Sequence, residues 1–127
     1  MQRFGDDEAG FSLAESDNPI QLVAWGFWST EIAAAFAGAL VNLGRVRSAT
    51  SMVLDATKLK PQRDEGQHAL AQLMSSLGKL GITSVQVLTT SQLTKLQLLR
   101  LAGEAAVKDR LSFSPTPAEP PTNKRMP

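Results

Sequence analysis

The alternation of apolar and polar residues near the start of the chain predicts a β-hairpin. In the segment GFSLAES, Phe11 and Leu13 alternate with small or polar residues, and the later run IQLVAWGFW has the same period of two. Asp-Asn-Pro separates the two runs and is typical of a turn. We therefore expect two antiparallel strands, with Val23, Trp25 and Phe27 on one face of the second.

A change to a spacing of three and four residues predicts a helix directly after this hairpin. Ser29 or Thr30 can cap its first turn, and Glu31 suits the positive end of the helix dipole. Gly44 is expected to end the helix. The apolar positions that form one buried stripe are Ile32, Ala35, Phe36, Ala39, Leu40 and Leu43.

The rest of the chain alternates short apolar runs with patterned helices. The run SMVLDAT predicts a third strand, and the helix after it is expected to end at Gly81. ITSVQVLTT predicts the next strand, SQLTKLQLLRLAGEAAVK predicts a third helix capped by Ser91, and DRLSF predicts a short last strand. Strands that alternate with helices of this length need crossover connections, so the central strands should be parallel. The second helix has its apolar side at Leu70, Leu73, Met74, Leu77 and Leu80.

Composition places the chain among small proteins with one domain. Its 127 residues are 43% hydrophobic, which suffices for a single core. We expect an α/β domain over residues 1–113 and a disordered tail over residues 114–127, where five of the seven prolines lie. Because the chain has no Cys and a single His, neither a disulfide nor a multi-histidine metal site is expected, and no cofactor is predicted.

The charges and the start of the chain predict a cytoplasmic protein. Thirteen Lys and Arg against twelve Asp and Glu leave a net charge of +1, so no strong field favours nucleic acid or a membrane surface. The start MQRFGDDEAGFSLAE has acids where a secretory signal needs an apolar run. No apolar segment approaches the roughly 20 residues of a membrane-spanning helix.

The segment MVLDATKLKPQRDEG and the order of elements around it resemble the STAS family, named for sulfate transporters and anti-sigma-factor antagonists, and in particular its SpoIIAA-like branch. The similarity covers residues 10–113 as an order of elements, and only the quoted segment is motif-like. It implies a STAS-like mixed sheet with an N-terminal β-hairpin, parallel central strands and about three helices. It also implies a non-enzymatic regulatory module in signalling, whose partner is a protein such as a kinase or an anti-sigma-like protein.

The resemblance also implies where the partner binds. In the family an Asp ends the third strand, and a Ser that precedes a Gly at the start of the next helix is phosphorylated by the partner kinase. Asp55 matches that Asp, Gly66 matches that Gly, and Glu65 stands at the phosphoacceptor position. A carboxylate does not form the stable ester that a Ser forms, so the usual phosphorylation switch is in doubt. Thr57 is the nearest hydroxyl if the loop register differs, and Asp64 completes the predicted partner-binding junction.

The same acids also have a structural explanation. Asp64 and Glu65 lie at a helix N-terminus, where each acid is favoured by about 0.3 to 1 kcal/mol, and Asp55 can accept hydrogen bonds from loop amides. Their position nevertheless favours binding, because ligands and partners gather at the carboxyl ends of parallel strands. Thr89 and Thr90 end the next strand at the same edge.

The third helix predicts a second interface. Its apolar residues cover more than half of its circumference, which is wider than a surface helix needs. We place a partner or homodimer interface there, with Leu98 and Leu101 in the patch and Lys95 and Arg100 at its rim. The alternative to a regulatory module is therefore a self-assembling structural or scaffold subunit that uses this helix.

The aromatic residues of the second strand and the single histidine are also considered as site residues. If helices cover both faces of the sheet, Trp25, Phe27 and Trp28 are all buried; otherwise Trp28, on the face opposite to the other two, is an exposed anchor for a partner. His68 is expected to be an ordinary surface residue, and no nucleophile and base are visibly paired, so an enzyme is not predicted. A carrier for a small apolar ligand is a third hypothesis.

Overall fold

A computed structural model describes residues 2–14, 19–46 and 49–115 of the chain, and this part forms one six-stranded mixed sheet with three α-helices. The strands are β1 (Gln2–Gly5), β2 (Gly10–Ala14), β3 (Ile20–Gly26), β4 (Ser51–Leu59), β5 (Ser84–Leu88) and β6 (Leu111–Ser114). The helices are α1 (Thr30–Val46), α2 (Asp64–Leu80) and α3 (Gln92–Glu104), with a short 3₁₀ turn at Lys108–Arg110. Most of the predicted hairpin turn and nearly all of the predicted tail lie outside the described residues.

The strands lie side by side in the order in which they occur along the chain. β1, β2 and β3 are antiparallel neighbours, and β3, β4, β5 and β6 are parallel. Right-handed crossovers that always step to the next strand in one direction place every connecting helix on the same face. The prediction of an α/β fold with an N-terminal hairpin and parallel central strands is confirmed.

The core lies between the sheet and this single layer of helices. Alternate strand residues point into it, while the residues between them point to the opposite side, which no helix of the described chain covers. We name this side the open face; in β3, β4 and β5 it is formed by Gln21, Val23, Val53, Asp55 and Gln86. The core side of the same strands consists of Ile20, Leu22, Ala24, Met52, Leu54, Ala56, Val85 and Val87.

The predicted helix signals are largely confirmed. The side-chain oxygen of Ser29 accepts a hydrogen bond from the Ile32 amide (3.3 Å), so Ser29 is the cap of α1. Gly81 ends α2 in the left-handed conformation (φ +77°), which glycine adopts without strain. The buried stripes of α1 and α2 include Ile32, Phe36, Ala39, Leu40, Leu43, Leu70, Leu73, Met74 and Leu77.

Several boundaries differ from the prediction, and α3, which was predicted to continue to Lys108, ends at Glu104. β1 was missed because its sequence QRFG has no pattern of its own; it forms by pairing with β2, and Phe4 stacks on Phe11 with ring centroids 6.2 Å apart. α1 continues past Gly44 and ends at Val46. β4 continues to Leu59 because its last residues pair with the end of β3.

The aromatic residues of β3 follow neither of the two arrangements left open by the sequence. Val23 and Trp25 do share a face, but it is the open face, where Val23 is 38% exposed and Trp25 half-buried. Phe27 follows the end of β3 and is 45% exposed, with the Arg63 guanidinium 5.8 Å from its ring centroid. Trp28 is buried on the core side, and its indole N–H donates to the Gly10 carbonyl (3.0 Å). Each of the two alternate sets of β3 contains large apolar residues, since Val23 and Trp25 lie on the same face as Gln21, so the pattern alone does not show clearly which set meets the helices.

A buried glutamine joins the carboxyl ends of two parallel strands. The Gln62 side chain accepts a hydrogen bond from the Trp28 amide (2.8 Å) and donates to the carbonyls of Gly26 (2.9 Å) and Lys60 (2.6 Å). Gln62 is only 3% exposed, and both the oxygen and the NH₂ group of its side-chain amide are hydrogen-bonded inside the protein. It links the end of β3 to the loop after β4.

The backbone of Gln62 connects the same loop to α2 and α3. Its N–H donates to the Gln97 side-chain oxygen (2.7 Å), and its carbonyl accepts from the side-chain amides of Gln97 (2.9 Å) and Gln67 (3.0 Å). Gly66 lies against this residue, and a Cβ atom there would overlap the Gln62 side chain. The predicted site residue Gly66 thus has a packing role.

Candidate functional site

The open face carries a groove across β1 to β4 with a volume of about 440 Å³. We name it the open-face groove. Two of the predicted site residues lie in it, together with residues that the sequence did not single out. Its lining consists of Arg3, Asp7, Ser12, Val23, Ala24, Trp25, Asp55, Thr57 and Lys58.

One wall of the groove is a tryptophan held in place on several sides. The Trp25 indole N–H donates to the Asp6 carbonyl (2.7 Å), and the ring passes so close to Gly10 that a Cβ atom there would lie 2.9 Å from Cζ2. The Arg3 guanidinium lies over the ring, 4.7 Å from its centroid, at a distance typical of a cation–π contact. The result is an ordered aromatic and cationic platform at the edge of the groove.

The loop between β1 and β2 supports this wall. The Asp6 carboxylate accepts hydrogen bonds from the amides of Glu8 (2.9 Å) and Ala9 (3.2 Å), and these bonds lower the pKa of Asp6. Gly26 has φ +78°, and a Cβ atom there would overlap the Glu8 carbonyl, so the close packing of β3 against the loop requires glycine. The loop places Asp7 at one end of the groove.

The opposite wall is an irregular part of β4. Val23 pairs with Asp55 and Trp25 pairs with Lys58, so β4 has one residue more than β3 between these pairs, which is a β-bulge. The Asp55 carboxylate accepts hydrogen bonds from the Thr57 amide (3.1 Å) and hydroxyl (2.7 Å). Asp55 therefore lies inside β4, where it stabilises the bulge, and does not end the strand as the resemblance implied.

The groove combines charges of both signs with an apolar floor. Arg3 and Lys58 are its cations, and Asp7 and Asp55 are its acids. Arg3 and Asp7 are only 4.0 Å apart, but both side chains are largely exposed, so this ion pair is weak and can exchange partners. The groove offers recognition by charge, hydroxyl groups and an aromatic surface. No cluster of His, Cys, Asp and Glu suited to a metal ion occurs in the part of the chain that the structure describes.

The acids at the start of α2 lie away from the groove, on the helix side of the sheet. Asp64 and Glu65 are exposed in the first turn, and Arg63, at the N-cap, makes no side-chain hydrogen bond to the helix end. Two negative side chains next to uncapped amides compensate the helix dipole. The structure thus separates Asp55 and Thr57 from Asp64 and Glu65, which the resemblance had joined in one site.

The placement of the predicted residues of α3 needs correction. Leu98 is 0% exposed and Leu101 is 4% exposed, so both belong to the core and cannot present a surface to a partner. The exposed leucines of α3 are Leu93 and Leu96, and self-assembly through this helix would have to use them. Lys95 lies 5.4 Å from the ring centroid of the half-buried Phe113. The error arose because the apolar pattern of α3 is broad and does not show which part faces the sheet.

Sequence reasoning missed Arg3, Lys58 and the role of Trp25. Arg3 lies on a strand that only pairing creates, and Lys58 joins the groove only through the bulge. The shared face of Val23 and Trp25 was the one available signal. This signal marked the surface on which the groove lies. It was interpreted instead as part of the core, with Trp28 either buried as well or exposed on the opposite face.

Comparison with known proteins identifies the fold. A similar solved structure is that of an uncharacterized protein of the DUF3478 family from Shewanella loihica PV-4, described as having a SpoIIAA-like fold. The TM-score is 0.62 at 14% sequence identity, over 87% of this chain and 90% of that chain. No family model matches the sequence, and no curated protein matches it. The chain thus has a SpoIIAA-like fold, as the resemblance to STAS domains implied.

No helix in the described part of the chain is both long enough and apolar enough to cross a bilayer. The longest helices, α1 and α2, have 17 residues each and are amphipathic.

Proposed function

We propose that this chain is a non-enzymatic protein-interaction module of a regulatory system, and that its protein partner docks in the open-face groove. The observation that carries the proposal is the Trp25 and Arg3 stack beside a concave floor on the one face of the sheet that the described helices leave free. Tryptophan and arginine are among the residue types enriched in side chains that dominate binding energy at protein interfaces.

The openness of the groove supports a protein partner over a small apolar ligand. Sites for small ligands bury most of the ligand and are enclosed by the protein. Here Val23 in the floor is 38% exposed, and the Arg3 side chain above the ring is 50% exposed. A protein surface that inserts one or two side chains can cover such a groove, whereas a small apolar molecule would stay largely in water.

The charges of the groove specify the chemistry of the partner. An acidic side chain of the partner can pair with Lys58 or Arg3, and a basic one with Asp55 or Asp7. Alternating charges favour one register of docking, because a shifted partner brings like charges together. The resemblance to a family that includes anti-sigma-factor antagonists favours a regulatory partner, and the absence of a Ser at position 65 implies control by a route other than phosphorylation there.

The experiment compares four versions of the tagged full chain in the cells from which it comes. Lys58→Glu and Val23→Arg change the groove, while Lys60→Glu makes the same charge change two residues away, at an exposed position that does not line it. Proteins that the wild type retains are identified by mass spectrometry, and the purified partner is titrated against each version by calorimetry. We expect about tenfold or greater weakening for the two groove variants, as for central interface positions.

Lys60→Glu should bind like the wild type. Equal affinity of all four versions would refute the open-face groove as the docking site. Two further variants, Asp64→Arg and Glu65→Arg, are measured in the same assay. A loss confined to these two would instead place the partner at the start of α2.

A further inference from the structure

A second surface of interest is a trough between α1 and α2 on the outer side of the helix layer. Two depressions of about 220 and 390 Å³ share Ala37 and Gln72, so they form one continuous feature, which we name the α1–α2 groove. Its α1 side consists of Thr30, Ala33, Ala34, Ala37, Leu40 and Val41. Its α2 side consists of Glu65, His68, Ala69, Gln72, Ser75, Ser76, Lys79 and Leu80.

The two ends of this groove carry opposite charges. Glu65 lies in the first turn of α2 and Lys79 in the last, about 21 Å apart along the helix at 1.5 Å per residue. Both side chains are exposed, and neither takes part in an ion pair with another described residue. Gln72 lies halfway between Glu65 and Lys79 along α2 and lines both depressions.

We propose that the α1–α2 groove binds a second copy of the chain in a two-fold symmetric dimer. The axis would lie in the interface, perpendicular to the helices, at the level of Ala37 and Gln72. Each helix then meets its own copy running in the opposite direction. Glu65 of each copy faces Lys79 of the other, so the symmetry forms the same ion pair twice.

The other residues of α2 in the groove are compatible with this arrangement. His68 meets Ser76, and the Gln72 amides meet at the axis. An amide can donate and accept at once, so two glutamines pair with each other, and a histidine can hydrogen-bond a serine hydroxyl. Any helix face has residues at regular spacing around its midpoint, so the spacing alone does not favour a dimer. The second copy is favoured because the residues that face each other are chemically complementary. On α1, small alanines allow close approach of the backbones.

The exposed apolar residues of α1 give the dimer a hydrophobic contribution. Val41 is 57% exposed at one end of the groove, and in the symmetric arrangement it reaches the exposed Ala34, next to Ala33, of the other copy. The facing area is about 21 Å long and two helix diameters wide, on the order of 400 Å² per copy. The total lies below the roughly 1,200 Å² of stable complexes, so a reversible dimer with a Kd in the micromolar range or above is expected.

Sedimentation equilibrium of the full chain tests this proposal. From about 10 μM to about 1 mM, the range suited to so small an interface, the wild type should shift from 13.6 kDa towards twice that mass. Glu65→Lys and Lys79→Glu should each weaken the dimer about tenfold, because each places like charges together at both ends. The double variant Glu65→Lys/Lys79→Glu should recover dimerisation, since both ion pairs are restored with reversed polarity.

The control is Asp64→Lys, which changes an acid in the same helical turn but outside the groove, and should leave the dimer unchanged. Circular dichroism confirms that each variant is folded. A wild type that stays monomeric throughout, or a double variant that does not recover, would overturn the proposal. A dimer lost only in Leu93→Glu and Leu96→Glu would assign assembly to α3 instead. Lys79→Glu does not touch the open-face groove, so the docking assay above remains independent of this test.

Discussion

Replacement of Gln62 by alanine should destabilise the protein strongly without removing any apolar core residue. The change deletes an amide that accepts from the Trp28 amide and donates to the carbonyls of Gly26 and Lys60. These bonds join the end of β3 to the loop that leads into α2. Because Gln62 is 3% exposed, water has little access to the groups that lose their partner.

The size of the effect follows from which groups keep a partner. The Gly26 carbonyl still accepts from the Lys60 amide (3.1 Å), so its loss is partial. The Trp28 amide has no such substitute among the described contacts, and a buried unpaired N–H costs about 1 to 3 kcal/mol. With about 1 kcal/mol more for the two lost donor bonds, the expected loss is about 2 to 4 kcal/mol. For a chain of this length that lowers Tm by about 8 to 15 °C.

Urea unfolding followed by tryptophan fluorescence measures this loss, because Trp28 itself is in contact with the mutated site. Gln92→Ala is the matched control, since Gln92 is an exposed glutamine outside both grooves and its replacement should change stability by less than about 0.5 kcal/mol. If Gln62→Ala lowers the free energy of unfolding by less than about 1 kcal/mol, the idea that this network holds the strand ends together is refuted.

Gln62→Glu adds a pH test of the same network. The introduced carboxyl group would be buried and would face the carbonyl oxygens of Gly26 and Lys60, so its pKa in the folded state should be raised. A raised folded pKa means that the variant is most stable below the unfolded pKa of about 4.3 and loses stability as the pH rises through the folded pKa. Equal destabilisation at about pH 4 and about pH 8, on either side of that range, would contradict the assigned donor and acceptor roles.

Three further predictions concern the core, a helix cap and a charged loop. Leu98→Asn should cost about 3 kcal/mol or more because the side chain is fully buried, while Leu96→Asn, at 54% exposure, should stay within about 0.5 kcal/mol in thermal unfolding. Ser91→Ala should cost about 1 kcal/mol in urea unfolding, since it removes the acceptor for the Thr94 amide (3.2 Å). The pKa of Asp6, measured by NMR titration, should lie below 3.8, and its contribution to stability should be present above that pH and be lost as the pH falls through the lowered value; an unshifted pKa would contradict the loop geometry.

The sequence predicted the parts of the fold that depend on neighbouring residues. The spacing of Phe36, Leu40 and Leu43 predicted the buried stripe of α1, and Gly81 and Ser91 marked the end of α2 and the start of α3. Periodicity, caps and crossover lengths are properties of short contiguous segments, so they can be interpreted without a structure. β1 was missed because QRFG becomes a strand only when β2 pairs with it.

The candidate sites depended on relations that contiguous segments do not contain. Asp55 was predicted in a shared site with Glu65, but the sheet separates the two, and Asp55 joins Arg3 and Trp25 on the open face instead. Leu98 was predicted on a surface and lies in the core, because a broad apolar pattern does not show which part of α3 faces the sheet.

The sequence by itself therefore determined the order and type of the main elements after β1, the parallel sense of the central strands and the absence of cysteine chemistry. Only the tertiary structure decided which face of the sheet is open and which side chains meet there. The physical reason is that β3 carries large apolar residues on both faces, so the choice between them is made by the right-handed crossovers that place all three helices on one side. Residues from β1, β3 and β4 become neighbours only after that choice.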